Sequence, residues 1–158
     1  MKQRAWKIYA YFIATAELVG IISGLLSRAG MMRYGETAVQ PGFAPPGWIF
    51  PVVWTILYAL MGIGAARVWL AEPSPERSRG INLFVAQLIV NFFWSLIFFN
   101  TQAYGFALIW LIILWVLVAW MIRTFAKTDR FAALIQIPYL VWLTFAAVLN
   151  GAVWLLNR

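Results

Sequence analysis

The chain has 158 residues, 64% hydrophobic and 11% charged, with a mean hydropathy of +0.82. This lies far outside the range of a water-soluble domain. There is no cysteine and no histidine, which excludes a disulfide framework, a thiolate–imidazole zinc centre and Cys–His or Ser–His catalysis, and leaves no imidazole or thiolate to serve as a haem axial ligand. A formal net charge of +7 invites a nucleic-acid reading, but the basic residues sit at the ends of apolar runs, where they set orientation in a bilayer.

Five runs are long enough to cross about 30 Å of hydrocarbon at a helical rise of about 1.5 Å per residue. They cover residues 6–26, 48–71, 81–101, 105–126 and 131–156. The predicted fold is an all-α, five-helix transmembrane bundle forming a single domain over residues 1–158. The first run follows Lys2, Arg4 and Lys7 as a signal peptide would, but it is too long for that and contains Glu17, so it reads as a retained helix. Residues 28–47, with four glycines and three prolines, read as a long first loop. The connections near 72–80, 102–104 and 127–130 are short and make consecutive helices antiparallel neighbours. An odd number of spans without an evident repeat argues against a simple inverted-repeat transporter.

Nine Lys and Arg residues fall on one side: Lys2, Arg4, Lys7, Arg67, Arg77, Arg79, Arg123, Lys127 and Arg130. Three fall on the other: Arg28, Arg33 and Arg158. The N-terminus is therefore expected in the cytoplasm, with the first loop and the C-terminus opposite.

Ten tryptophans divide by depth. Trp6, Trp48, Trp69, Trp120 and Trp154 stand near the ends of spans, where indoles anchor at the lipid–water boundary. Trp54, Trp94, Trp115 and Trp142 lie inside, and Trp110 about a turn and a half in. Measured from the first-loop side, Trp54 lies about 9 Å deep and Tyr58 about 15 Å, on one face of the second helix. Gln87, Asn91 and Ser95 form a polar stripe on the third helix, flanked by Trp94 and Phe98. Trp142, Ala146 and Asn150 repeat the spacing on the fifth. A polar stripe inside hydrocarbon turns inward; it either ties helices together or, with aromatic faces at the same depth, lines a cavity for a flat ligand. Glu17 lies mid-span at a similar depth. It reads either as a proton- or ligand-binding carboxylate or as a neutral acid hydrogen-bonded to Tyr58 or Asn91. Pro138 predicts a kink near Gln136. Ala16, Gly20 and Gly24 form a small-residue pattern for close contact within the bundle or across a dimer.

Three stretches taken together resemble the TspO/MBR family of tryptophan-rich sensory and translocator proteins. They are Pro41-Gly42-Phe43-Ala44-Pro45-Pro46-Gly47-Trp48 continuing to Trp54 and Tyr58; Gln87 to Ser95 with Phe98-Phe99; and Pro138-Tyr139-Leu140-Val141-Trp142 with Phe145-Ala146 and Leu149-Asn150. The resemblance implies a five-helix membrane protein, commonly a homodimer, that binds tetrapyrroles such as protoporphyrin IX or haem in a pocket capped by the first loop. Transport, stress-linked sensing and light-dependent porphyrin breakdown are roles it brings with it. The positions it implies for the ligand are Trp54, Tyr58, Asn91, Trp94, Ser95, Phe98, Trp142 and Ala146, with Tyr34 and Phe43 from the loop.

The chain departs from the family pattern in three places. The aromatic pair before the proline run is reduced to Tyr34, followed by Gly35. Trp110 stands where many members carry an acid, and the C-terminal stretch lacks the tyrosine of the sterol motif. The leading functional expectation is a membrane tetrapyrrole-binding protein with no obligatory cofactor, no metal site and no nucleic-acid partner. The alternatives are a photochemical porphyrin-degrading enzyme, with Trp54 and Trp142 as its redox residues and no conventional catalytic group, and a proton-coupled transporter using Glu17.

Overall fold

The computed structural model describes residues 2–158, and among these every regular element is helical. Helix α1 spans Lys2–Thr37, α2 Ile49–Leu70, α3 Pro75–Ser95, α4 Tyr104–Thr128, α5 Arg130–Leu134 and α6 Ile137–Leu156. A π-helical turn, Leu96–Asn100, extends α3, and α5 and α6 together make the fifth span. Five helical segments are long and apolar enough to cross a membrane, and the protein is a multi-pass integral membrane protein.

The first helix is longer than the sequence suggested. Residues 28–37 continue α1 instead of opening the first loop, which shrinks to residues 38–48. Glycine costs only about 1 kcal/mol in a helix interior, and tertiary contacts outweigh that here. Gly30 lies against the Phe99 backbone, and the Tyr34 ring meets Phe98, Phe99 and Tyr104 at 5.3, 5.4 and 6.2 Å between centroids. Pro41 is the first residue after Thr37 that cannot continue the helix. Tyr34 is thus a helical residue, not a loop residue.

The fifth span breaks where Pro138 requires it. Proline lacks an N–H, and its ring clashes with the carbonyl four residues back. The chain turns through Ile135 and Gln136, and α6 restarts with the proline in its first turn. The fully buried Gln136 bridges the break, donating from Nε2 to the Leu60 carbonyl at 2.9 Å.

Helix α1 packs along α2 and touches α3; α3 packs on α4, and α4 on α6, with α5 docked on α2. The helices therefore form a ring in the order α1, α2, fifth span, α4, α3. Helix α6 does not approach α2 or α3 closely through its backbone; side chains bridge those gaps. The small-residue pattern of α1 serves the bundle: Ala16 is fully buried and Gly20 lies under the Tyr58 ring, whereas a Cβ on Gly24 would meet open space. Across the same interface Gly62 of α2 sits against the Ile13 backbone. On the side away from the first loop, Arg67 pairs with Asp129 at 2.8 Å and lies over the Phe131 ring at 4.8 Å. Asp129 also caps α5, accepting from the Ala132 N–H at 2.9 Å. The first loop is tied to the far end of the chain. Asn157 accepts from the Val39 N–H and donates to the Val39 carbonyl, each at 2.8 Å.

Gly62→Val should lower stability by about 1–3 kcal/mol, because the new side chain has to push α1 away. Gly24→Ala should leave the thermal melt in detergent unchanged. Burial alone would raise the Asp129 carboxyl, but the Ala132 N–H and Arg67 outweigh it and hold the group below its ordinary value of 3.8. Its contribution is complete above that ordinary value and is lost as pH falls through the depressed one. Asp129→Asn should therefore destabilise the protein at pH 7 and flatten the acid limb of melting temperature against pH.

Candidate functional site

The site residues expected from the sequence fall into two aromatic groups joined by buried amides. The first spans the gap between α2 and α6. Phe50 meets Trp142 edge to face at 5.8 Å, Trp54 lies 5.5 Å from Tyr58 and 6.1 Å from Tyr139, and Trp142 lies 5.3 Å from Phe145. Phe50, Trp54 and Tyr58 recur every four residues on α2, which sets their rings along one face. Trp54 and Trp142 are half-buried, while Tyr58 and Ala146 are buried.

The second group closes the first-loop end of the ring. Trp94 stacks on Phe98 at 5.1 Å and 28°, and Phe98 packs on Tyr34, Phe99 and Tyr104. The π-helical turn places Phe98 and Phe99 side by side at 4.8 Å.

Between the groups, α3 and α6 are joined by two polar networks. Asn91 donates from Nδ2 to the Tyr139 hydroxyl at 2.9 Å, and that hydroxyl donates to Gln87 Oε1 at 2.8 Å. Gln87 Nε2 in turn reaches Met61 Sδ on α2 at 3.6 Å. Nearer the first loop, the Trp94 indole donates to Asn150 Oδ1 at 3.3 Å, and Asn150 donates to the Tyr104 carbonyl at 2.8 Å. Gln87, Asn91, Tyr139 and Asn150 are all buried.

Ser95 completes the sequence stripe only partly. It is half-buried at the last residue of α3 and makes no side-chain hydrogen bond among the described residues. Glu17 is half-buried on α1, one turn before Gly20, and neither accepts a hydrogen bond nor forms an ion pair among them. The expected bond from Tyr58 or Asn91 to Glu17 is therefore not made; Asn91 is engaged with Tyr139 instead. Phe43 is exposed in the loop and lines, with Val141, Thr144, Phe145 and Val148, a shallow hollow of about 490 Å³ on the outer side of α6. The two ambiguous tryptophans pack elsewhere: Trp110 donates to the Val90 carbonyl at 2.7 Å, and Trp115 to Thr144 Oγ1 at 2.9 Å.

The model of the TspO/MBR family matches residues 12–155. The chain belongs to the TspO/MBR family. It is 38% identical over 143 residues to the tryptophan-rich protein TspO of Chlorobaculum tepidum, covering 88% of this chain and 89% of that protein. It is 34% identical to protein CrtK of Rhodobacter capsulatus over 93% and 90% of the two chains. The translocator protein of Bos taurus is 30% identical over 97% of this chain and 92% of its own. Relatives from bacteria to mammals thus align along nearly the whole bundle.

Within this TspO/MBR chain, sequence reasoning placed the stripes on the correct elements but missed the hub. Tyr139 lies in the Pro138–Trp142 motif outside the expected ligand positions, yet it binds both amides. The signal was an aromatic hydroxyl inside a span, which needs a partner as much as any amide. Asn157 was also missed, because nothing in a C-terminal Asn-Arg announces a partner at Val39.

Tyr139→Phe should cost about 1–3 kcal/mol by leaving Asn91 and Gln87 short of a partner in hydrocarbon. Adding Gln87→Met and Asn91→Leu removes those stranded groups and should restore part of the melting temperature. A further fall in the triple variant would show that the network is not what holds α6 to α3.

Proposed function

We propose that this protein binds a tetrapyrrole, protoporphyrin IX or haem, between α2 and α6 beneath the first loop. The observation that carries the reading is the α2–α6 gap, which aromatic rings bridge and backbone packing does not. A planar macrocycle can exchange ring–ring contacts for contacts with the same rings, conserving apolar burial while gaining a large stacked face. Trp54 and Trp142 flank the ligand in this reading, and Tyr58 offers its hydroxyl. Asn91 and Ala146 lie behind them, and the Trp94–Phe98 stack with Ser95 and Tyr34 closes the upper end. Phe43 stands beside Phe145 at the rim. Tethering of the loop to Asn157 holds this cover across the end of α6.

With no histidine or cysteine in the chain, recognition rests on shape and stacking instead of axial ligation. The function is binding in the service of tetrapyrrole transport or sensing, with the N-terminus in the cytoplasm, an orientation that the nine-to-three distribution of cations supports. The functional unit is a homodimer, as the family resemblance implies.

Porphyrin absorbance titration of the detergent-solubilised protein tests the reading. Trp54→Phe and Trp142→Phe should each weaken binding about two- to tenfold, the range expected for a lost indole stack. Trp115→Phe, hydrogen-bonded to Thr144 and outside the gap, should have no effect. Free-base and iron porphyrins should bind alike; a requirement for iron, or unchanged affinity in both site variants, would sink the proposal.

A further inference from the structure

At the opposite end of the bundle from the first loop, Trp69 of α2 and Arg77, Ser78, Ile81 and Asn82 of α3 enclose a shallow hollow of about 280 Å³. Arg77 is held over the Trp69 ring at 4.8 Å, and Trp69 is backed by Phe12 of α1 at 6.0 Å. The Arg77 guanidinium has no carboxylate partner among the described residues, where the ion pair present is Arg67–Asp129. Glu72 and Glu76 are close in sequence but do not line the hollow. Ser78 and Asn82 are exposed, and neither side chain is engaged in a hydrogen bond among the described residues. An arginine fixed by an aromatic face, with a hydroxyl and an amide beside it, is suited to an oxyanion with several acceptor oxygens.

The surface below the hollow decides what carries that oxyanion. Ile81, Val85 and Ile89 continue from Arg77 at four-residue spacing, one row along α3. Val85 and Ile89 are about half exposed, at 48% and 54%, on a helix long and apolar enough to cross the bilayer. A polar head at Arg77 with an apolar row leading into the membrane matches one molecule with a phosphate head and acyl tails. The lining supplies a cation and no carboxylate, so it complements an anionic headgroup and offers nothing to the ammonium of a zwitterionic one.

We propose that the hollow between the end of α2 and the start of α3 is a binding site for an anionic phospholipid. Arg77, Ser78 and Asn82 hold its phosphate, and Ile81, Val85 and Ile89 lie along an acyl chain. This site is independent of the tetrapyrrole reading.

Native mass spectrometry of the purified protein with added phosphatidylglycerol or phosphatidylcholine tests it. Wild type should retain phosphatidylglycerol about fivefold better, the increment expected for one well-placed basic residue at the membrane surface. Arg77→Gln should reduce retention to the phosphatidylcholine level, while Arg79→Gln, which removes the same charge outside the hollow, should preserve it. Asn82→Leu should lower retention with every charge in place, a result that overall basicity cannot produce. Equal retention of the two lipids by wild type, an equal loss in Arg79→Gln, or displacement by millimolar inorganic phosphate would each overturn the proposal.

Discussion

The architecture turns on the absence of water around buried polar groups. In hydrocarbon an amide or hydroxyl has no solvent to fall back on, so each must find a partner inside the bundle. The Tyr139 hydroxyl meets this need for two residues at once, accepting from Asn91 and donating to Gln87. Asn150 does the same for Trp94 and the Tyr104 carbonyl. Through these bonds α6 is held across the bundle to α3, although their backbones do not pack closely.

That arrangement explains why the face between α2 and α6 is built from rings. With α6 fixed towards α3 and α4, its separation from α2 is too wide for small residues and is filled by Phe50, Trp54, Trp142 and Phe145. Nearer the other end the same two spans are locked together. Gln136 binds the Leu60 carbonyl, Gly64 admits the Gln136 side chain, and Arg67 pairs with Asp129. The proline break separates these regimes: α5 docks firmly on α2, and α6 departs from it. Aromatic contacts can be exchanged for a flat ligand at little net cost in apolar burial, whereas the polar locks cannot.

The two ends of the molecule thus have different characters. The first-loop end is covered by a short tethered segment and lined by aromatic residues with few charges. The opposite end carries most of the cations, among them Arg67 and Arg77, each placed over an aromatic ring. Guanidinium–ring contacts at that level hold positive charge in defined positions at the membrane boundary.

Sequence alone determined the five spans, their antiparallel order, the break at Pro138 and the inward turn of Gln87 and Asn91. These follow from local rules: apolar length against bilayer thickness, the missing proline N–H, and the cost of facing an amide to lipid. It also placed Trp54, Trp94, Trp115 and Trp142 inside the spans, because depth along a helix is a matter of counting, while helix face and the family resemblance singled out Trp54, Trp94 and Trp142. The tertiary structure decided the extension of α1 to Thr37, where packing of Gly30 and Tyr34 overrides a glycine-containing stretch. It also decided that Asn91 engages Tyr139 and not Glu17, which has no partner among the described residues, and that Asn157 holds the loop. Periodicity gives a residue its face and depth, but a partner lies on another helix, and its identity depends on how the helices are arranged around the ring.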